Sequence, residues 1–201
     1  MDKTQFYNMS LGLISHGEII DISGNDPKAQ KCRLYFEPVV ETALSYYNWS
    51  FARKMKIPAM SAETYDGFKY CYVYPNEAVT IWQFRDEDGN LLDLNGNAAI
   101  VLSENEASRL ILSNYKISKL IFTTKLLNPE MWPAAFAEAT SYLLANKVCE
   151  AIAALKKEAQ SKYEQYASLI EMAKSYDVEN ELKFFDKNLH EGYKIYNGGI
   201  F

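Results

Sequence analysis

Several residue types that carry chemistry are scarce in this chain of 201 residues. It has only two histidines, His16 and His190, and neither has a cysteine or a carboxylate at a spacing typical of a metal site. The three cysteines, Cys32, Cys71 and Cys149, lie far apart and form no C-x-x-C pair. The sequence therefore predicts no metal centre, and it favours buried, reduced thiols in a reducing compartment.

The motifs of common catalytic and nucleotide-binding sites are also absent. The chain has no G-x-S-x-G nucleophile elbow and neither of the glycine-rich loops that hold phosphate groups. The acidic and amide side chains from Asp93 to Glu104 are spaced as in a calcium loop, but Ala98 stands where the sharp turn of that loop needs glycine. Hairpin turns explain these residues better. We therefore expect no catalytic group and no cofactor.

The chain also lacks an excess of positive charge and any long apolar run. Its formal net charge is -5 at pH 7, so it has no basic surplus with which to neutralise nucleic-acid phosphates. No apolar stretch approaches the roughly 20 residues of a membrane-spanning helix, and no N-terminal signal segment is visible. We expect a protein that does not enter a membrane and does not bind DNA specifically.

Aromatic residues, by contrast, are plentiful: they make up 14% of the chain, and there are 15 tyrosines. Tyrosine has an apolar ring and a polar tip, and it is enriched where proteins contact one another. A core that happens to use tyrosine would give the same composition. The composition therefore permits a protein-protein interface without requiring one.

Two helices are predicted in the first quarter of the chain. Apolar side chains indicate a short helix that ends at Gly17. A second helix begins at Pro27, since Asn25 or Asp26 can cap it and proline suits the first turn. Its apolar residues recur in steps of three and four, which predicts one buried face. Pro38 lies inside this pattern and is expected to bend the helix.

The middle of the chain, 70–125, changes to short strand-like segments separated by turns. Asp88-Gly89 and Asn95-Gly96 are dipeptides typical of tight hairpins. The strand-like segments lie at 70–74, 79–84, 91–94, 99–102 and 119–124. They predict a small, mostly antiparallel sheet.

Helical periodicity returns after Asn128, which can cap a helix that starts at Pro129. The pattern allows either one helix or two up to Tyr176, with a break favoured near 156–158. Beyond Tyr176 the period fades, although the segment has too many aromatic residues for a free, solvated tail. We expect an arm that folds against another surface.

The predicted fold is α+β, mainly α. A helical bundle is formed by 1–57 and 126–176, and a β-rich region, 58–125, holds a small antiparallel sheet inserted between the second helix and the C-terminal helices. An extended C-terminal arm spans 177–201. This length suits one domain with its own core, or one domain plus an appendage.

The order of these features is more informative than any single motif. A short helix ends in a glycine turn, a second helix closes on a Trp-x-Phe-Ala segment, a tyrosine-rich strand leads into proline, and a Pro-Trp segment opens the last helices. The residues that carry this order are Gly17, Glu18, Ile20, Asn48–Lys54, Tyr74–Glu77, 118–124 and Asn128–Phe136. Over about residues 5–176 the order resembles the head-to-tail adaptor (connector) family of short-tailed bacteriophages, which includes the tail tubular proteins and tail accessory factors.

The resemblance implies a structural protein of the virion and not an enzyme. Subunits of such adaptors form a ring, here expected to be a dodecamer, that joins the portal protein to the tail nozzle protein. Tail fibres are a further candidate partner. Genomic DNA would pass through the lumen without specific binding, past a wall that is acidic or neutral. The protein would be found at the head-tail junction, and in the host cytoplasm during assembly.

Two sets of residues are assigned roles under this hypothesis. The first forms a core signature that anchors the end of the second helix and the start of the later ones; it comprises Trp49, Phe51, Trp132 and Phe136. The second is a candidate interface with the portal or with neighbouring subunits; it comprises Phe184, Phe185, Tyr193, Ile195, Tyr196 and Phe201. Trp49 and Phe51 could also line an interface, but their size favours burial.

Two other classes of function remain as alternatives. A tail-associated cell-wall hydrolase would need two facing carboxyl groups in a cleft, one of them with a raised pKa. A binding module of a non-viral assembly would be a monomer with a distinct pocket.

Overall fold

The computed structural model describes residues 1–93, 95–151 and 155–197, and it describes the side chains of the same residues apart from 156 and 183–197. These residues form four α-helices and two three-stranded antiparallel sheets, which confirms the α+β fold class. The helices are α1 Lys3–Gly12, α2 Pro27–Ser45, α3 Ala134–Ala151 and α4 Lys156–Asn197. The strands are β1 Arg53–Lys56, β2 Tyr70–Val73, β3 Ala78–Arg85, β4 Ala98–Leu102, β5 Arg109–Ser113 and β6 Lys119–Thr124.

The first two helices begin where their capping residues predict. The Asp2 carboxylate accepts a hydrogen bond from the N–H of Gln5 at 2.8 Å, and the Gln5 side chain accepts one from the N–H of Asp2 at 2.9 Å. This capping box starts α1. Before α2 it is Asp26 that acts as the cap, because its carboxylate accepts from the N–H of Lys28 at 2.8 Å. Gly17 has a φ of 74°, a left-handed conformation that glycine adopts without strain.

The C-terminal part contains two helices and not one, so the break expected near 156–158 is close to the start of α4 at Lys156. The backbone of α4 then continues to Asn197, where the sequence predicted an extended arm. No glycine or proline occurs from 177 to 191, so no helix-breaking residue stops the helix there. Fading apolar periodicity was therefore a poor guide to where the helix ends.

Contacts divide the chain into two compact units. The helical unit comprises Met1–Ala43, Trp49–Phe51 and Leu126–Phe201, and the strand unit comprises Leu44–Asn48 and Ala52–Lys125. The strand unit contains all six described strands.

The strand unit holds two sheets, whereas the sequence predicted one. Their strand orders are β1-β6-β3 and β2-β5-β4, and every neighbouring pair is antiparallel. Tyr72 and Ile111 of one sheet share a buried cluster with Leu120 and Phe122 of the other. The Tyr72 hydroxyl also accepts a hydrogen bond from the N–H of Ile117 at 2.9 Å. The two sheets therefore close one core between them.

The core of the helical unit includes a buried thiol and a buried phenol on adjacent helices. The Cys32 side chain on α2 is fully buried and that of Tyr7 on α1 is nearly so. Burial raises the pKa of the Cys32 thiol to about 12, and the negative charge of Asp26 adds to the rise. Burial likewise raises the pKa of Tyr7 to about 12. Both groups are therefore neutral in the folded protein well above the pH at which they would ionise in an unfolded chain.

The helical unit should accordingly lose stability in alkali. A group whose pKa is higher in the folded state contributes fully below its unfolded pKa, here 9.0 for Cys32, and that contribution is lost as the pH rises towards about 12. We expect the free energy of unfolding, measured in urea, to fall as the pH rises from about 9 towards about 12. The fall should be smaller in Cys32→Ala, and an equal fall in that variant would contradict this assignment.

Candidate interaction surfaces

The four residues of the core signature come together inside the helical unit. Phe136, in the first turn of α3, lies with its ring centroid 5.1 Å from that of Trp49, 4.9 Å from that of Phe51 and 5.5 Å from that of Trp132. Edge-to-face pairs at these distances are favourable beyond the area they bury. Trp49, Trp132 and Phe136 are buried and Phe51 is half-buried, so these rings are packing residues and offer little surface to a partner.

Both tryptophans in this cluster also satisfy their indole N–H groups. Trp49 Nε1 donates to the carbonyl of Ala43 at 3.0 Å, and Trp132 Nε1 donates to the carbonyl of Leu126 at 2.9 Å. Each ring is thereby fixed in one orientation, because rotation would leave a buried donor without a partner. Phe6 of α1 extends the cluster, with its centroid 5.2 Å from that of Trp132.

An aspartate on α4 holds the turn that carries Trp49 and Phe51. The carboxylate of Asp177 accepts from the N–H of Ser50 at 2.9 Å and from the Ser50 hydroxyl at 2.6 Å. Asp177 is buried, so its charge is compensated by these two donors instead of by bulk water. The sequence analysis did not identify Asp177 as important. The only indication in the sequence is that an acidic residue stands where an apolar residue would continue the buried face of α4.

A surface groove of about 430 Å³ runs between α2 and α3 and is almost wholly apolar. Its lining includes Leu34, Pro38 and Val39 from α2, together with Leu143 from α3. Leu34, which is 66% exposed, contributes apolar surface to this groove. This groove is an apolar surface that the aromatic composition did not predict.

An open pocket with both polar and apolar walls lies between the C-terminal half of α3 and the first two turns of α4. It has a volume of about 610 Å³, and its lining includes Asn146, Lys147, Glu150 and Gln160. The Asn146 side chain donates to the carbonyl of Ala159 at 2.9 Å, while its buried Oδ1 atom has no hydrogen-bond partner among the residues that the structure describes. Lys147 and Glu150 form an ion pair at 2.9 Å. The pocket can hold water or a small polar group.

The described carboxyl groups with a shifted pKa do not resemble a hydrolytic pair. Hydrogen bonds from Ser23 lower the pKa of Asp21, the Lys56 side chain lowers that of Glu77, and the Asn90 side chain lowers that of Asp86. A general acid in glycoside cleavage needs a raised pKa. These shifts give the cell-wall hydrolase alternative no support.

The described residues show neither a metal-binding cluster nor a membrane-spanning helix. Among residues 1–93, 95–151 and 155–197, no cluster of three or more histidine, cysteine or acidic side chains is placed to hold a metal ion. Within that same part of the chain, no helix combines the length and the apolar character that crossing a membrane requires. At the position of the calcium-like spacing, Asp93 instead accepts from the N–H of Asn95 at 3.1 Å, as in a turn.

The candidate interface at the C-terminus lies outside what is described. The backbone of 184–197 is helical, but the described side chains do not include Phe184, Phe185, Tyr193, Ile195 or Tyr196, and Phe201 is beyond the described residues altogether. Their assignment to the portal or to a subunit interface therefore stays a prediction.

Comparison with known proteins identifies no relative. No model of a known protein family matches the chain, and no curated protein matches it.

Proposed function

We propose that the protein is a structural head-to-tail adaptor of a bacteriophage virion, which forms a ring between the portal and the tail nozzle. The observation that carries the proposal is that segments far apart in the sequence pack together in one aromatic cluster. The Trp-x-Phe-Ala segment at the end of the second helix and the Pro-Trp segment before α3 pack on Phe136, while Phe6 of the first helix packs on Trp132. The segments that define the resemblance thus pack together in the core of the helical unit.

Two further observations agree with a ring that surrounds DNA. The net charge of -5 gives the protein no overall attraction for phosphate groups, which suits a channel through which DNA must slide. The α2–α3 groove and the aromatic residues after 183 provide apolar material for contacts with other proteins. Closed rings are built from such head-to-tail contacts between unlike surfaces.

Deleting residues 185–201 should abolish or strongly weaken binding to the purified portal. The deletion removes five of the six residues assigned to the portal interface, and it begins beyond Asp177, the last α4 residue shown to hold the helical unit. The unit should therefore remain folded, with thermal melting close to that of the full chain. Binding is measured by co-sedimentation with the portal ring.

A shorter deletion of 198–201 is the matched control. It keeps Tyr193, Ile195 and Tyr196, so it should retain most of the binding if the aromatic residues of the last helical turns make the contact. If the protein that lacks residues 185–201 binds the portal as well as the full chain does, the assignment of this interface is wrong. Absence of binding by the full chain would count against the adaptor function itself.

A further inference from the structure

Ile20 is the most exposed large apolar side chain among the described residues, with an exposed fraction of 98%. It belongs to the glycine turn after the first helix, one of the features on which the resemblance to phage adaptors rests. Trp49, Trp132 and Phe136, which carry other features of that order, are buried in the helical unit. Packing within the chain therefore accounts for those three residues and leaves Ile20 unexplained.

The loop that carries Ile20 is held by hydrogen bonds on both sides of this residue. The Asn8 side chain on α1 donates to the carbonyl of Ile19 at 2.9 Å and accepts from the N–H of Ile19 at 2.8 Å. The Asp21 carboxylate accepts from the N–H of Ser23 at 2.8 Å and from the Ser23 hydroxyl at 2.6 Å. A side chain presented on a fixed loop loses little conformational freedom when it binds a partner.

The α2–α3 groove is an apolar surface of the same unit that can receive such a side chain. It has a volume of about 430 Å³, with Leu34 and Pro38 exposed on its α2 wall and Leu143 buried on its α3 wall. The chain's own Ile20 does not fill this groove, because it is almost fully exposed. A second copy can supply the side chain without disturbing the hydrogen bonds that hold the loop.

We propose that Ile20 of one copy of this chain inserts into the α2–α3 groove of a second copy. Two exposed acids, Glu18 and Asp21, flank Ile20. Lys31 lies one turn before Leu34 on the groove side of α2. The acids of the incoming loop therefore meet a basic residue at the N-terminal end of the groove.

The other charged residues near the groove leave this complementarity in place. Lys147 on the α3 wall forms an ion pair with Glu150 at 2.9 Å. The two acids of α2, Glu37 and Glu41, follow Arg33 at four-residue intervals and so lie on a neighbouring row of the helix. Lys31 thus stands in line with the groove, whereas these acids do not.

Charge also distinguishes Ile20 from the other strongly exposed apolar side chains. Ile57, Met55 and Met60 are 75%, 68% and 67% exposed, the next highest values for large apolar residues in the described part of the chain. All three lie in the stretch 53–61, which contains three basic residues and no acid. Insertion of any of them would bring positive charge towards Lys31, so the acid-flanked Ile20 is the favoured occupant.

The contact joins unlike surfaces, so each copy can bind one neighbour through its loop and another through its groove. Such contacts propagate until they close into a ring. A single side chain and its flanking residues cover far less area than a stable interface needs, so free copies should associate weakly. Closure of the ring at the portal rests on the proposed adaptor function.

The test is carbodiimide cross-linking of unlabelled protein mixed at high concentration with isotopically labelled protein, followed by mass spectrometry. This reagent joins a carboxylate directly to an amine, so it reports side chains that touch. We expect cross-links from Glu18 or Asp21 of one isotope to Lys31 of the other. Cross-links confined to peptides of the same isotope would show that the loop contacts its own chain. That result, or the absence of these cross-links, would overturn the proposal.

The variant Ile20→Ser tests the apolar anchor. Because Ile20 is 98% exposed, the change should leave the free energy of unfolding nearly unchanged. The yield of mixed-isotope cross-links should fall about tenfold, since the variant loses an apolar side chain that is buried only in the complex. Ile57→Ser, which changes a similarly exposed isoleucine, is the matched control and should leave the yield unchanged. An unchanged yield in Ile20→Ser would contradict the proposal.

An exchange of charges tests the pairing around the anchor. The variant Lys31→Glu has no amine at position 31, so alone it should give no cross-link there. When it is mixed with Glu18→Lys, a cross-link should form between position 18 of one variant and position 31 of the other. If the mixture gives no such cross-link, the two positions do not meet and the proposal fails.

Rings on the portal separate this inference from the adaptor function. If Ile20→Ser assembles a complete ring as readily as the unchanged protein does, the inference is wrong and the adaptor function stands. Mixed-isotope cross-links between copies that never assemble on a portal would support the loop–groove contact and count against the adaptor function.

Discussion

Replacing Phe136 with alanine is expected to lower the free energy of unfolding of the helical unit by about 3–5 kcal/mol. The ring is 1% exposed and contacts three other aromatic rings, those of Trp49, Phe51 and Trp132. Alanine would leave a cavity at the centre of the cluster, and the two tryptophans cannot move to fill it without breaking their indole hydrogen bonds. The loss should therefore lie near the upper part of the range for such substitutions.

Urea unfolding followed by tryptophan fluorescence measures this effect, since two of the three tryptophans lie in the cluster. The matched control is Met131→Ala, which truncates a side chain that is 62% exposed and lies five positions earlier. The control should change the free energy of unfolding by less than about 0.5 kcal/mol. A loss below about 1 kcal/mol for Phe136→Ala would mean that the cluster does not hold the helical unit together.

The second large effect is expected at Asp177. Replacing it with alanine should cost about 2–3 kcal/mol, because the Ser50 N–H and hydroxyl both lose a charged acceptor in a site where Asp177 is only 6% exposed. Ser50→Ala should cost less, since it removes the hydroxyl and leaves the bond from its N–H intact. The same urea experiment measures both variants.

Two comparisons distinguish the loss of the hydrogen bonds between Asp177 and Ser50 from a general effect of substitutions on α4. Asn180→Ala changes an exposed polar residue one turn further along the helix and should be nearly neutral. The double variant Ser50→Ala with Asp177→Ala should cost less than the sum of the two single changes, because they remove a shared hydrogen bond. Strict additivity would show that Asp177 stabilises the unit by some other contact.

The helices were predictable where apolar periodicity and caps agree. On α2, Cys32, Phe36 and Val39 recur at helical spacing and are all buried. On α4 the neighbouring residues Leu169 and Ile170 are both apolar, and packing buries Ile170, which is 1% exposed. Such alternatives cannot be resolved from one sequence, since both residues are apolar and only the position of the neighbouring helix distinguishes them.

The strands were harder to predict, for reasons visible in their residues. β1, with the sequence RKMK, has three basic residues in four and no apolar alternation, so it is a strand only because β6 supplies a partner. β5 was missed because it falls between two loops rich in serine and asparagine, although its sequence RLILS is mostly apolar. β5 is the strand that makes the second sheet, because β2 and β4 each pair with it.

Contacts between residues distant in sequence were not predictable at all. The bond between Asp177 and Ser50 joins positions 127 residues apart. The exposed edge of β4 also escaped notice, because Ile100 and Leu102 look like ordinary core residues in the sequence and only the sheet order leaves them at a boundary. Which apolar residues stay exposed thus depends on topology more than on local pattern.

The most direct test of the adaptor function is the mass of the purified protein in solution, measured alone and then with its portal. We expect a monomer when the protein is alone at low concentration, and a ring of about twelve copies when the portal is present. A protein that remains a monomer in the presence of the portal would contradict the proposal and return attention to an enzyme or an independent binding module.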